Sequence, residues 1–344
     1  MTKVTIIGAG ITGLAIANHL APHHEVTVIA RDIPPLNTMT LENQSLKWAS
    51  PWAGACYICS IPSTPLEQKM QLTTYPILLA LASQDPSSSV RKISLHDLHD
   101  QVGLEEIWYR DHMRDFRLLD ASELPAGFAG IGMSYTTVVL TPTVFLPWLR
   151  RRLEDQGVGF VRREVSSLDD VRGYGHAVLV DASGWGAATM GGVGHEKVRK
   201  IRGQTHVVRT AYDKILMRQG SQYTYCIPRL DGTAVLGGVK QVGNTDESVD
   251  EELRMDIYNR VSDHLPEVFS AFPADFDLVR DNVGIRPGRE GGVRVESEMV
   301  EGQKVVHAYG VGGGGYAFSF GLAKAVGELV EQWERKSGAA AAKL

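Results

Sequence analysis

Short β-branched runs and longer helical periods alternate along the chain. Val4-Thr5-Ile6-Ile7 and Val26-Thr27-Val28-Ile29-Ala30 are apolar runs of the kind buried on both faces of a parallel sheet. Between them Gly8 to Leu14 is a glycine turn that opens a helix reaching about Leu20. Residues from about Thr64 to Ser83 have a helical pattern interrupted by Pro76, and Asp85-Pro86-Ser87-Ser88-Ser89 reads as a loop. Thr141-Pro142 starts a further helix with Phe145, Leu146, Leu149 and Leu153 on one face, ending at Gly157. Strands are expected over Val158–Val161 and Ala177–Val180, the latter leading into Asp181-Ala182-Ser183-Gly184.

Between about Thr205 and Val239 the apolar runs are short and separated by Asp-Gly and Gly-Gly turns, as in an antiparallel sheet. An exposed helix is expected from Asp250 to Val261. The chain then repeats its opening grammar: the strand Val305–Tyr309, a glycine run, and a helix from about Tyr316 to Trp333. No internal repeat is visible. The pattern predicts an α/β protein in which a Rossmann-type domain is interleaved with a mostly antiparallel substrate domain. Its nucleotide-binding pieces are 1–55, 142–200 and 280–335, its substrate pieces 56–141 and 201–279, and 336–344 form a flexible tail.

Composition changes this picture little. The 43% hydrophobic and 22% charged residues are ordinary globular values. A net charge of −5 argues against a nucleic-acid partner, although local basic residues can still attract a small anion. Three cysteines suit a reducing compartment. Cys56 and Cys59 form a C-x-x-C without a second pair to complete a metal site, and are expected to be buried thiols. His96 and His99 stand at i, i+3, read here as a solvated helix face and not a metal site. No metal and no membrane span are expected: no apolar run reaches the ~18 residues a span needs. The first strand starts too near Met1 to leave room for a presequence. The terminal Ala342-Lys343-Leu344 resembles the S-K-L peroxisomal address, which makes peroxisomal location and an import receptor expectations.

Gly8-x-Gly10-x-x-Gly13 sits where its chemistry requires, between a buried strand and a helix. Gly8 permits the tight turn, Gly10 lets backbone approach a pyrophosphate, and Gly13 lets helix pack on sheet. With Ile11 and Thr12 these residues present the helix N-terminus to the phosphates. The second strand ends in Ala30 instead of an acidic residue, so the ribose contact is expected from Arg31 and Asp32. The motif leaves FAD and NAD both open.

Further segments resemble the D-amino acid oxidase family. They are Ala49-Ser50-Pro51-Trp52-Ala53-Gly54-Ala55, Arg202-Gly203-Gln204, Tyr225-Cys226-Ile227-Pro228-Arg229 and Leu236-Gly237-Gly238. Gly284-Ile285-Arg286-Pro287-Gly288-Arg289 and His307 to Tyr316 complete the series, in order over nearly the whole chain. The resemblance implies FAD, a D-amino acid and O2 as substrates, and an imino acid and hydrogen peroxide as products. It implies cofactor contacts from Ala49, Ser50, Gly54, Ser183, Gly184, Gly312, Gly314, Gly315, Tyr316 and Ala317, with Trp48 and Trp52 packing around the flavin. Arg286 would take the α-carboxylate in a bidentate pair, Tyr225 would add its hydroxyl, and a carbonyl near Gly313 would accept from the substrate amine. Hydride transfer then needs positioning more than an acid or base. The chain departs from the family at Ala308, Val311, Ala317 and Phe318.

Two cations favour an acidic substrate. Lys240 follows Gly237-Gly238 where the family's D-aspartate oxidase branch has Arg, and Arg218-Gln219-Gly220-Ser221 resembles that branch's R-D-G-S segment. A side-chain carboxylate in a half-dry pocket needs a cation, so Arg218, Lys240 and Tyr223 join Arg286 as expected substrate contacts. Three readings stand at this point: a D-aspartate oxidase, a broad neutral D-amino acid oxidase, or a flavin- or nicotinamide-binding protein without oxidase activity. Homo-oligomerisation is left open.

Overall fold

The computed structural model describes the backbone of residues 1–193, 196–270 and 274–341, and their side chains up to residue 335. The chain opens with β1 (Thr2–Ile7), α1 (Ile11–Leu20) and β2 (His24–Ala30), followed by α2 (Pro65–Gln84), β3 (Arg91–His99), β4 (Arg117–Leu118) and β5 (Ile131–Val139). Next come α3 (Pro142–Asp155), β6 (Gly159–Arg162) and β7 (Val178–Asp181). The central stretch holds β8 (Val198–Arg209), β9 (Ile215–Gln219), β10 (Thr224–Pro228), β11 (Thr233–Gly237), β12 (Gln241–Val242) and α4 (Glu251–His264). The last elements are β13 (Asp277–Arg289), β14 (Arg294–Val300), β15 (Gln303–Tyr309) and α5 (Gly315–Ala341).

Two sheets result. The first runs β14-β15-β7-β1-β2-β6 and is parallel apart from the β14–β15 hairpin. Its inner strands are buried on both faces, which is why β1 and β7 read as unbroken apolar runs. The second runs β12-β8-β11-β10-β9-β3-β5-β4, with β13 along β8, and is antiparallel except where β3 meets β9. The fold is therefore the expected α/β architecture, a nucleotide-type sheet beside a mostly antiparallel one.

Several expectations need correction. Helix α2 runs straight through Pro76. That residue is exposed, and packing of the buried Met70, Thr74 and Leu78 face against α5 offsets the lost backbone bond. The contact is close enough that a Cβ on Gly321 would fall 1.9 Å from the Met70 carbonyl. His96 and His99 lie on β3, so their side chains leave opposite faces of a strand instead of sharing one face of a helix. His99 is buried with Asp97, Nε2 to Oδ1 3.1 Å. The boundary expected at residue 280 falls inside β13, which belongs to the second sheet. The stretch expected as a loose tail continues α5 to Ala341, in keeping with the helix preference of alanine. Ala342-Lys343-Leu344 lies outside the described residues.

Candidate active site

The carboxyl ends of β1, β2, β6, β7 and β15 all open on one cavity of about 380 Å³, the place where open α/β sheets bind ligands. At Gly8, φ is +108° and a Cβ would lie 2.4 Å from the Ala182 carbonyl. A Cβ on Gly13 would lie 1.9 Å from the Gly8 carbonyl. Only glycine lets α1 sit this close to the strand ends, with its N-terminus aimed into the cavity. Gly10 caps α1 without a side chain, and the Ile11 N–H donates to Ser50 Oγ at 2.9 Å. Trp48 is buried beside Gly10 with its Nε1–H unpartnered, a donor left over for a ligand.

The segment 49–55 lies along the cavity and is tied from two sides. Tyr316 donates to the Ser50 carbonyl at 3.0 Å, and Arg229 Nη2 to the Ala53 carbonyl at 3.0 Å. Burial pushes the Arg229 pKa down to about 10, which leaves it a cation at neutral pH. Below β7, the buried Asp181 carboxylate accepts from Ser183 N and Oγ and stands 3.1 Å from His307 Nδ1. That triangle fixes the 182–184 turn at the cavity wall.

The other end is built from side chains. Asn282 and the run Gly284 to Pro287 of β13 line this end of the cavity. The Arg286 guanidinium passes over Gly203 of β8, where a Cβ would be 2.5 Å away, and its Nη1 donates to the Val239 carbonyl at 2.9 Å. The Arg286 charge lies close enough to the Tyr225 hydroxyl to oppose the effect of burial on it. The Tyr225 ring rests on Gly237 and Gly238, whose Cβ atoms would meet it at 2.2 and 2.3 Å. Tyr223 packs edge-on to Tyr225, ring centres 5.4 Å apart, and carries the Lys240 ammonium 4.1 Å over its face. Burial raises both phenol pKa values, against the nearby Arg286 charge, so both hydroxyls keep their protons. One end of the cavity is thus a backbone cradle for phosphates, the other a cationic, hydroxyl-bearing clamp for a carboxylate.

Residues 3–329 match the DAO family of FAD dependent oxidoreductases. The chain belongs to this family. A D-aspartate oxidase of Talaromyces thermophilus is 32% identical over 97% of this chain and 96% of its own length. A D-amino-acid oxidase of Schizosaccharomyces pombe is also 32% identical, over 93% of each. Among solved structures, glycine oxidase from Geobacillus kaustophilus superposes with a TM-score of 0.72 at 19% identity, covering 96% of this chain and 95% of that one. L-proline dehydrogenase from P. horikoshii reaches 0.76 at 13% identity, covering 96% and 93%. At such identities these structures share the fold.

The cofactor of the family is FAD, and the cradle fits it: the glycine turn, the start of α1 with no capping side chain at Gly10, and the orphan Trp48 donor all line the same space. Most expected cofactor residues line the cavity: Gly8, Gly10, Ile11, Thr12, Arg31, Asp32, Ala49, Ser50, Gly54, Ser183, Gly184, Gly312, Gly315 and Tyr316. Arg31 and Asp32 bind each other there, Nη2 to Oδ2 2.6 Å. Gly13, Gly314 and Ala317 stand behind the lining and act through packing. Gly313 lines the cavity beside Arg286, 3.5 Å from a Cβ position to Arg286 Cδ.

Of the expected substrate contacts, Tyr223, Tyr225 and Arg286 converge on the cavity, while Lys240 stands outside its lining with its ammonium over the Tyr223 ring. Arg218 does not. It neighbours Met217, which lines the cavity, so strand alternation sends Arg218 to the opposite face of β9. There it pairs with Asp100 at 3.0 Å and with His264 Nε2 at 2.8 Å. Cys56 lines the substrate end, and burial pushes its thiol, like that of Cys59, up to about 12. Neither is a thiolate nucleophile at neutral pH. Sequence reasoning missed Arg163 and Glu164, which follow β6; strand order would have found them, since β6 ends beside β2. It also missed Asn282 and Thr205, which carry no motif.

Proposed function

We propose that this FAD-dependent oxidoreductase oxidises a D-amino acid with a side-chain carboxylate, D-aspartate being the substrate that fits best. The products would be the 2-oxo acid, ammonia and hydrogen peroxide, with O2 and water consumed. The supporting observation is the pair of cations near Tyr223, Lys240 over its ring and Arg286 close enough to act on its hydroxyl. Although Lys240 as a residue is exposed, partial burial of its ammonium and then the Arg286 charge lower its pKa, so the two cations share one field. A second carboxylate relieves that repulsion, which a neutral side chain does not.

Arg286, held at Nη1 by Val239, offers its fork to the α-carboxylate, and the Tyr225 hydroxyl donates to the same group. The Gly313 carbonyl accepts from the amine. With three points held, the Cα–H bond has one orientation, and positioning carries the rate. Bound FAD supplies the two-electron acceptor and the route to O2. A broad neutral-substrate reading is favoured by one observation, the turning of Arg218 away from the cavity.

The test is peroxide production by the FAD-loaded protein, comparing kcat/KM for D-aspartate, D-glutamate, D-alanine and D-valine. Preference for D-aspartate is expected. Preference for D-alanine or D-valine would end the acidic reading, and silence on all four would end the D-amino acid reading.

A further inference from the structure

Helix α4 packs on the face of the second sheet that is turned away from the cavity, burying Ile257, Tyr258 and Val261. Arg260, on the same helix, reaches through to the strand ends. Its Nη1 donates to the Tyr223 carbonyl and, at 3.1 Å, to Thr224 Oγ1; its Nη2 donates to the Gly238 carbonyl at 3.2 Å. The Gly238 N–H donates to the same Tyr223 carbonyl at 3.1 Å. Asp256, one turn earlier, fixes the guanidinium through Nε and Nη2 at 3.1 and 2.9 Å.

The two carbonyls Arg260 holds belong to the short stretches that carry the substrate clamp. Tyr223 and Tyr225 enter at the start of β10. Gly237 and Gly238 support the Tyr225 ring, Val239 holds Arg286, and Lys240 follows. The β10–β11 ladder ends at the Tyr225–Gly237 pair, and beyond it the Gly238 N–H bond to the Tyr223 carbonyl joins the two stretches. The Arg260 guanidinium braces that junction by holding a carbonyl of each stretch.

We propose that Arg260 is a positioning residue for substrate: from behind the sheet it sets the distance between the tyrosine pair and the 238–240 segment, and so tunes carboxylate affinity without touching substrate. Arg218, expected in the pocket, belongs to its support. His264 donates from Nδ1 to the Arg260 carbonyl at 2.6 Å and accepts at Nε2 from Arg218, which Asp100 anchors. The assignment rests on the reading of this end of the cavity as an amino-acid carboxylate site.

The experiment compares FAD-loaded wild type, Arg260→Met, Arg260→Lys and, as control on the same helix, Arg254→Met, whose guanidinium pairs instead with Asp281 at 2.8 Å. KM and kcat for D-aspartate are read beside the Kd of malonate, a dicarboxylate without an amine, from the change in flavin absorbance. In Arg260→Met, KM and the malonate Kd should rise about tenfold or more, as for a loosened charge-assisted contact, with kcat changed less than about threefold. FAD affinity should hold, Arg260→Lys should recover part of the loss, and Arg254→Met should stay within about twofold. KM and malonate Kd unchanged in Arg260→Met, or equally raised in Arg254→Met, would overturn the proposal. Should Arg260→Met fail to fold, Arg260→Lys and Asp256→Ala carry the same comparison. Should wild type oxidise no D-amino acid, the functional reading falls, while malonate titration still decides the role of Arg260.

Discussion

The two ends of the cavity solve recognition differently. At the nucleotide end the contacts come from backbone, shaped by Gly8, Gly10 and Gly13 and the free N-terminus of α1. Substitution at Gly8 or Gly13 acts all or none, because a Cβ there meets a carbonyl that has nowhere to go. At the other end the converging groups are Arg286, Tyr225, Tyr223 and Lys240, long side chains brought together from β13, the start of β10 and the segment after β11. Those can be shortened one at a time, so specificity is graded where cofactor binding is not.

The sharpest break in that contrast is Gly13→Val, which should purify without flavin, seen as loss of absorbance near the protein's yellow band; retained stoichiometric FAD would show that α1 can withdraw. Arg286→Leu should keep its flavin yet lose ~10²–10³-fold in kcat/KM, the scale of truncating a buried charge contact. Loss of FAD together with activity would mean that the two ends are not separable. Lys240→Met should cost D-aspartate ~10-fold or more in kcat/KM while sparing D-alanine, whereas Arg218→Met should leave that ratio alone. Equal effects of Lys240→Met on both substrates would remove it from specificity. The smallest effect is on stability. Burial lowers the pKa of His206 and His264 below the ordinary 6.5, against their hydrogen-bond partners. The unfolded chain therefore binds more protons, and their contribution, complete above about pH 6.5, is lost as pH falls further. The Tm of the holoprotein should be lower at pH 5.5 than at 7.5; a flat profile would contradict it.

How much was legible in the chain follows from the same contrast. The β1–α1–β2 unit is local, so its glycine spacing and strand runs predicted these three elements to within about two residues. Arg286 and Tyr225 were reached through short motifs on strands far apart in the sequence. Arg218 shows the limit: whether it or Met217 faces the cavity depends on the phase of β9, which its neighbours β3 and β10 impose. His96 and His99 failed likewise, because three-residue spacing means one face on a helix and two on a strand. Pro76 was read by its local penalty, while burial against α5 decided the outcome. The role of Arg260 left no trace, since the Tyr223 and Gly238 groups it bridges are main-chain carbonyls that any residue supplies.

The nucleotide sheet draws β1 and β2 from the first residues of the chain and β15 from the last strand, with α5 packed on α1. On the ribosome, then, the opening glycine turn emerges early but waits for some 300 residues before Gly310 to Tyr316 complete the wall opposite. The walls of the cradle are therefore complete only when both ends of this sequence have folded together, and a chain halted in the second sheet has the fingerprint of the site without its grip.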